Sequence, residues 1–154
     1  MTVSISKESP VGADLTLLFD RHTADMHTDT PPESIHMMGA WELAIPQVHF
    51  FVARLAGAPL AMGAFKRLSG DVAEIKSMHV LQEARGKGLS KTMLAHVEAA
   101  AKAEGITRLS LETGVQPTFV AARALYEKAG YSACGPFEGY SADPNSLFMT
   151  KELG

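Results

Sequence analysis

Cysteine is almost missing from this 154-residue chain. Cys134 stands alone, which excludes an internal disulfide framework and a multi-cysteine zinc site and suits a reducing cytosol. An excess of basic charge is also missing. A net charge of -3 and a pI near 6.0 leave no electrostatic footprint for nucleic acid. No apolar run approaches the ~18 residues of a membrane span, and residues 1–10 lack the charged-then-apolar order of a secretory signal. A cytoplasmic location is therefore expected, with no membrane and no nucleic-acid partner. Repeats, low-complexity segments and linkers are absent as well. What remains is a chain with 46% apolar and 20% charged residues, the size and composition of one globular domain spanning 1–154.

The pattern along the chain is that of an α/β fold. Thr2 to Ser6 alternates polar and apolar residues and reads as a first strand. Ser9-Pro10 resembles a helix cap, after which Val11, Leu15, Leu18, His22 and Met26 recur at helical spacing. Thr30 is placed to cap a short helix through Ile35 to Met38 that Gly39 ends, with residues 40–47 as a loop. Three strands follow, Val48 to Leu55, Leu60 to Leu68 and Val72 to Val80, separated by short turns that imply an antiparallel meander. Leu89, Met93, Val97 and Ala100 then mark one face of a helix that stops at Gly105. A strand from Thr107 to Thr113 completes a strand–helix–strand unit, which requires a right-handed crossover and a parallel pair. A helix from Thr118 to Lys128, with Ala121, Leu125 and Ala129 on its inner side, and strands over 131–137 and 147–153 complete the chain.

The stretch between the fourth strand and the long helix is Arg85-Gly86-Lys87-Gly88-Leu89-Ser90. Two glycines at a strand-to-helix junction offer close-approaching backbone N–H groups and the positive end of a helix dipole to an anion. The ending differs from the Gly-Lys-Ser/Thr of a nucleoside-triphosphate loop. This segment resembles the Gln/Arg-x-x-Gly-x-Gly/Ala motif of the GNAT superfamily of acyl-CoA N-acyltransferases, with Ser90 in the place of the last small residue. Downstream, FVAARALYEKAGY from Phe119 to Tyr131 is similar to the family's Asn-x-x-Ala-x-x-Leu-Tyr-x-x-x-Gly-Phe, with Phe119 in the place of the asparagine.

The resemblance implies a GNAT fold: a mixed, mostly antiparallel sheet of six or seven strands, with a parallel strand–helix–strand centre and helices on both faces. It implies acetyl-CoA as cofactor, held by Arg85, Gly86, Lys87, Gly88, Leu89 and Ser90, by the main chain of Met78, His79 and Val80, and by Phe119 and Arg123. It implies direct acetyl transfer to a primary amine of a small molecule or peptide, and it admits a homodimer. The rival reading is a non-catalytic acyl-CoA-binding regulatory module.

An ammonium has no lone pair, so amine acylation needs a proton acceptor, and a departing thiolate needs a donor. Tyr126 is the candidate acid, because a phenol with a reference pKa of about 10 is protonated at neutral pH. Glu74, on the fourth strand, is the first candidate base and Glu112, on the neighbouring strand, the second. The bland alternative for each is a salt bridge, for example with Lys76 or Arg123. Strict alternation puts Glu74 and Lys76 on one face and Ser77 and His79 on the other, so the two sets serve opposite sides. Ser34, His36 and Trp41, in the early helix and loop region, are candidate substrate contacts. His22, His27 and His36 are spaced by five and nine, which does not bring ligands onto one helix face, so no metal is expected.

Overall fold

Alternating and β-branched segments build one side of a sheet from consecutive hairpins. In the computed structural model, which describes residues 2–154, β1 (Val3–Lys7) pairs antiparallel with β2 (Val48–Leu55). Next come β3 (Ala58–Arg67) and β4 (Val72–Val80), also antiparallel. The β2–β3 turn is the pair Ala56-Gly57, both with positive φ (51° and 84°), the conformation whose twist suits a two-residue hairpin. Helix α3 (Leu89–Ala103) then carries the chain back to β5 (Arg108–Gly114), which lies parallel to β4. The sheet is finished by the short edge strand β6 (Ser132–Cys134) and by β7 (Ser146–Glu152), giving the order β1-β2-β3-β4-β5-β7-β6.

Helices cover both faces. On one side α3 and α4 (Val120–Lys128) bury Met93, Val97 and Tyr126 against Phe65, Ile75, Leu109 and Leu111. On the other, α1 (Thr16–His27) and the single turn α2 (Ala40–Leu43) place Leu18, Phe19 and Leu43 against Phe50, Val52 and Met62. Among the described residues no helix is long and apolar enough to cross a membrane.

Several local expectations are corrected. The chain does not become α-helical until Thr16, after a 3-10 turn at Ala13–Leu15. Residues 35–38 are not a helix. Pro31-Pro32 favours extended backbone and leaves only a 3-10 turn at Pro32–Ser34, after which Ile35 is extended. Gly39 then begins a helix instead of ending one, because the Glu42 carboxylate reaches back 3.1 Å to its N–H. On α4, Leu125 and Ala129 pack against the core as expected, while Ala121 is exposed and Ala122 and Tyr126 share the inner side. Gly135-Pro136 cuts the expected 131–137 strand down to three residues.

The strict alternation along β4 fails at one residue. Ser77 has φ 57°, and the β3 register slips there: Met62 faces His79 while Ala64 faces Lys76. Two β4 residues therefore oppose Gly63, the arrangement of a β-bulge. Gly63 is required opposite it, since a Cβ would lie 2.6 Å from Met78 Sδ and 2.9 Å from Met93 Cγ. The extra residue turns the side chains after it, so His79 lands on the α1 face with Glu74 and Lys76, and Met78 and Val80 face α3. Left-handed backbone costs a non-glycine residue about 1–2 kcal/mol. Ser77→Gly should accordingly leave urea stability equal or higher, and Ser77→Val should lower it by about 1–2 kcal/mol. A Val variant as stable as the parent would contradict the bulge geometry.

Candidate active site

The β4–β5 pairing stops after three residue pairs, Val72–Arg108, Ala73–Leu109 and Glu74–Ser110. Past Glu74 the strands separate, and the gap joins the two faces of the sheet. Two arms of one cleft run through it. They share His22, Met26, Met78, Phe119, Ala122 and Tyr126.

The larger arm, ≈310 Å³, runs from this junction to the glycine loop. Gly86 and Gly88 both have positive φ (81° and 76°), and Gly88 leads directly into α3. The first helical bond is Thr92 N–H to the Gly88 carbonyl, at 3.0 Å. The amides of Leu89, Ser90 and Lys91 thus have no partner within the helix, and they sit at the positive end of its dipole. Between loop and junction the walls are mainly apolar: Met93, Leu125, Phe119 and Ala122. Such a cleft fits coenzyme A, with an anion cradle at one end and an unpaired strand edge beside a narrow apolar channel.

The smaller arm, ≈100 Å³, lies under the Ser34–Gly39 segment and the β6–β7 loop. At its floor Glu74 is only 5% exposed. Its carboxylate accepts hydrogen bonds from Lys76 Nζ (3.0 Å) and from the Tyr140 hydroxyl. Lys76 also reaches the Tyr140 oxygen at 3.0 Å and the His36 carbonyl at 3.2 Å, and the His36 ring meets Tyr140 edge-on. Glu112 faces the same arm from β5, and burial raises its carboxyl above the usual carboxylate range.

Tyr126 is 6% exposed and stands at the junction. Burial raises its phenol well above the ordinary value, so it keeps its proton. On the α1 side His22 and His79 meet edge to face, 5.2 Å between centroids. Burial is the main cause that pushes each imidazole down to about 4.

The remaining expected site residues divide. Met78, His79, Val80, Arg85, Gly86, Gly88, Leu89, Ser90 and Phe119 line the larger arm. Glu74, Glu112 and His36 line the smaller one. Arg85, however, turns its Nε onto the Val80 carbonyl (2.9 Å) and pairs with Asp25 (3.0 Å). Lys87 lines neither arm. Arg123 binds the carbonyls of Gly114 (2.8 Å) and Gln116 (3.1 Å) and so braces the β5–α4 connection. Buried Ser34 accepts from the Asn145 amide and ties two loops together. Trp41, 79% exposed on α2, is outside both arms. Sequence reasoning passed over His22 as a cleft residue and Tyr140 altogether. Tyr140 sits in a polar, irregular loop with no periodicity to mark it.

The acetyltransferase (GNAT) family model matches residues 15–131, which is most of the chain and contains both the glycine loop and α4. The chain belongs to the GNAT acetyltransferase family. This GNAT protein is an acyltransferase, and its cofactor is acetyl-CoA. Over 142 residues it is 41% identical to YsnE of Bacillus subtilis, named as an uncharacterized N-acetyltransferase, covering 92% of this chain and 94% of that one. It is 39% identical to an IAA acetyltransferase of Azospirillum brasilense, with 98% of each covered. In fold it is similar to PaiA N-acetyltransferase from Thermoplasma acidophilum, a structure in complex with coenzyme A. There the TM-score is 0.76 at 18% identity over 99% of both chains.

Two outcomes follow for this GNAT chain. Glu74→Gln leaves the buried Lys76 ammonium without its counter-charge and should destabilise the protein by about 3–5 kcal/mol in urea unfolding. A loss below ~1 kcal/mol, the range of exposed pairs, would mean the cluster is solvated. His22 and His79 resist protonation when folded and accept it readily when unfolded. Their contribution is complete above the unfolded value near 6.5 and is lost as pH falls toward about 4. The urea midpoint should drop over that window, and the drop should shrink in a His22→Gln/His79→Gln variant. An identical drop in that variant would remove the pair from the acid response.

Proposed function

We propose that this protein transfers the acetyl group of acetyl-CoA directly to a primary amine of a small molecule or peptide, within one ternary complex. The observation that carries the reading is a pair of adjoining arms that share six lining residues. One arm ends in an anion-binding loop, the other ends in carboxylates, and a protonated phenol stands where they meet. The name N-acetyltransferase borne by the 41% identical relative supports nitrogen as the acceptor atom.

In this reading the amides at 86–91 hold the pyrophosphate, and Ser90 lines the same arm. Between Met78 and Val80 the open edge of β4 takes up the amides of the pantetheine arm as an added strand would. Its Val80 carbonyl is already occupied by Arg85, which fixes the end of the strand against the loop. Phe119, Leu125 and Met93 exclude water from the channel. Bound acetyl-CoA supplies an activated acyl carbon and a thiol leaving group. Tyr126 holds a proton at its hydroxyl, which has no hydrogen-bond partner among the described residues and is free to donate toward sulfur. Glu74 and Glu112 border the acceptor side, where a proton must be removed from the amine.

Gly88→Val puts a β-branched residue at φ 76° and a side chain over the anion cradle. Calorimetry should find acetyl-CoA binding abolished, and unchanged affinity would refute the loop assignment. Tyr126→Phe should lower kcat about 100-fold, the lower end of general acid contributions, with acetyl-CoA affinity nearly unchanged. Wild-type turnover in that variant would exclude the phenol from the reaction.

A further inference from the structure

We propose that Glu112, and not Glu74, anchors the acceptor and takes its proton, and that the acceptor is a small primary amine with an apolar body, entering as its ammonium. This rests on the amine reading above and narrows it.

One of the two carboxylates in this arm already has its charge matched. Lys76 and Tyr140 both bind Oε2 of the Glu74 carboxylate, and Lys76 is in turn held by the same phenol and by the His36 carbonyl. The cluster carries one carboxylate and one ammonium, so its formal charge is already balanced before a cation arrives. The ion pair within this arm is Glu74–Lys76, and among the described residues none reaches Glu112. Two carboxylates against one ammonium leave the smaller arm with a surplus negative charge, located at Glu112. The groups that face Glu112 come from every side of the arm. They are Glu74 and Lys76 on β4, His36 on the segment after Ser34, and Ser146 on β7. Tyr140 in the β6–β7 loop, Tyr126 on α4 and His22 on α1 complete the set. Burial is the largest influence on its carboxyl and raises it; Ser146, His36 and Lys76 pull less strongly the other way.

An ammonium beside Glu112 therefore relieves an unmatched charge, whereas an acceptor bearing its own carboxylate is repelled there and finds Lys76 occupied. Once water is displaced, one N–H bond of the ammonium breaks and an O–H bond forms on Glu112. Nitrogen keeps the electron pair. Two neutral groups replace two charges, which a poorly hydrated slot favours. The proton passes later to solvent. Beside these polar groups the slot has an apolar wall of Met26, Met37, Met38 and Leu111, and at ≈100 Å³ it suits a slim aliphatic or arylalkyl tail.

The test uses n-butylamine and phenethylamine as probes, with butyrate and phenylacetate as their acidic counterparts. Calorimetry without acetyl-CoA should find that the wild-type protein binds the amines and not the acids. E112Q should weaken amine binding at least tenfold. With acetyl-CoA present, thiol release in E112Q should show kcat/KM reduced about 100-fold or more. The acid limb of its pH profile should be gone. E112D, which keeps the charge one methylene back, should bind amines within a few-fold of wild type and turn over more slowly. If E112Q does not fold, the acid limb of E112D decides: a displaced limb supports the assignment and an unmoved one overturns it. Wild-type amine binding or an intact acid limb in a folded E112Q overturns it, as does binding of the acids in preference to the amines. Thiol release from amines that ignores E112Q keeps the transfer reading and removes Glu112. Amine binding that depends on Glu112, with no thiol release from any amine, keeps the anchor and removes the transfer reading.

Discussion

Everything in the site depends on the separation of β4 from β5. A parallel pair joined through a helix would ordinarily continue as a ladder, and its buried N–H and C=O groups would be satisfied within the sheet. Here the ladder ends at Glu74–Ser110. The bulge at Ser77 lies just beyond that point and re-aims the side chains that follow. One irregularity thus yields an unpaired edge, an opening between the two faces of the sheet, and a strand end held over the start of α3. The glycine loop by itself would be an anion-binding turn. Set at the end of a splayed strand, it becomes one terminus of a channel.

The charged groups around that channel are sorted by burial. Imidazoles on the α1 side are kept neutral, the phenols of Tyr126 and Tyr140 are kept protonated, and Glu74 is matched by Lys76 within hydrogen-bonding distance. Desolvation penalises each unmatched charge, so the place where one remains is informative. Glu112 is that place on the acceptor side. In the proposal made above, a cationic acceptor offsets the cost of its burial, which would link the electrostatics of the slot to the kind of molecule it receives.

Most of the framework was legible in the sequence. The bounds of β2 and β4 were read directly from β-branched runs and their turns, and α3 from its apolar stripe and closing glycine. The loop motif and the LYEKAGY segment carried the family. Periodicity failed where backbone geometry departs from a regular element. Strict alternation assigned His79 to the wrong face because nothing about Ser77 announces a left-handed residue. The proline pair at 31–32 moved the short helix to the far side of Gly39. The bonds from the Arg123 guanidinium to carbonyls of the turn before α4 had no signal in the sequence, since they depend on how that turn folds back. Tyr140 was invisible for the opposite reason: it lies 66 residues from Glu74 in sequence and meets it through a loop with no repeating pattern.

The central claim is that the splayed end of β4 and the glycine loop together form the coenzyme A site. Amide hydrogen exchange, followed residue by residue with and without acetyl-CoA, tests it most directly. The account predicts new protection concentrated at Ser77–Val80 and at Gly86–Lys91. Protection confined to the loop, with the β4 edge exchanging as fast as in the free protein, would contradict it.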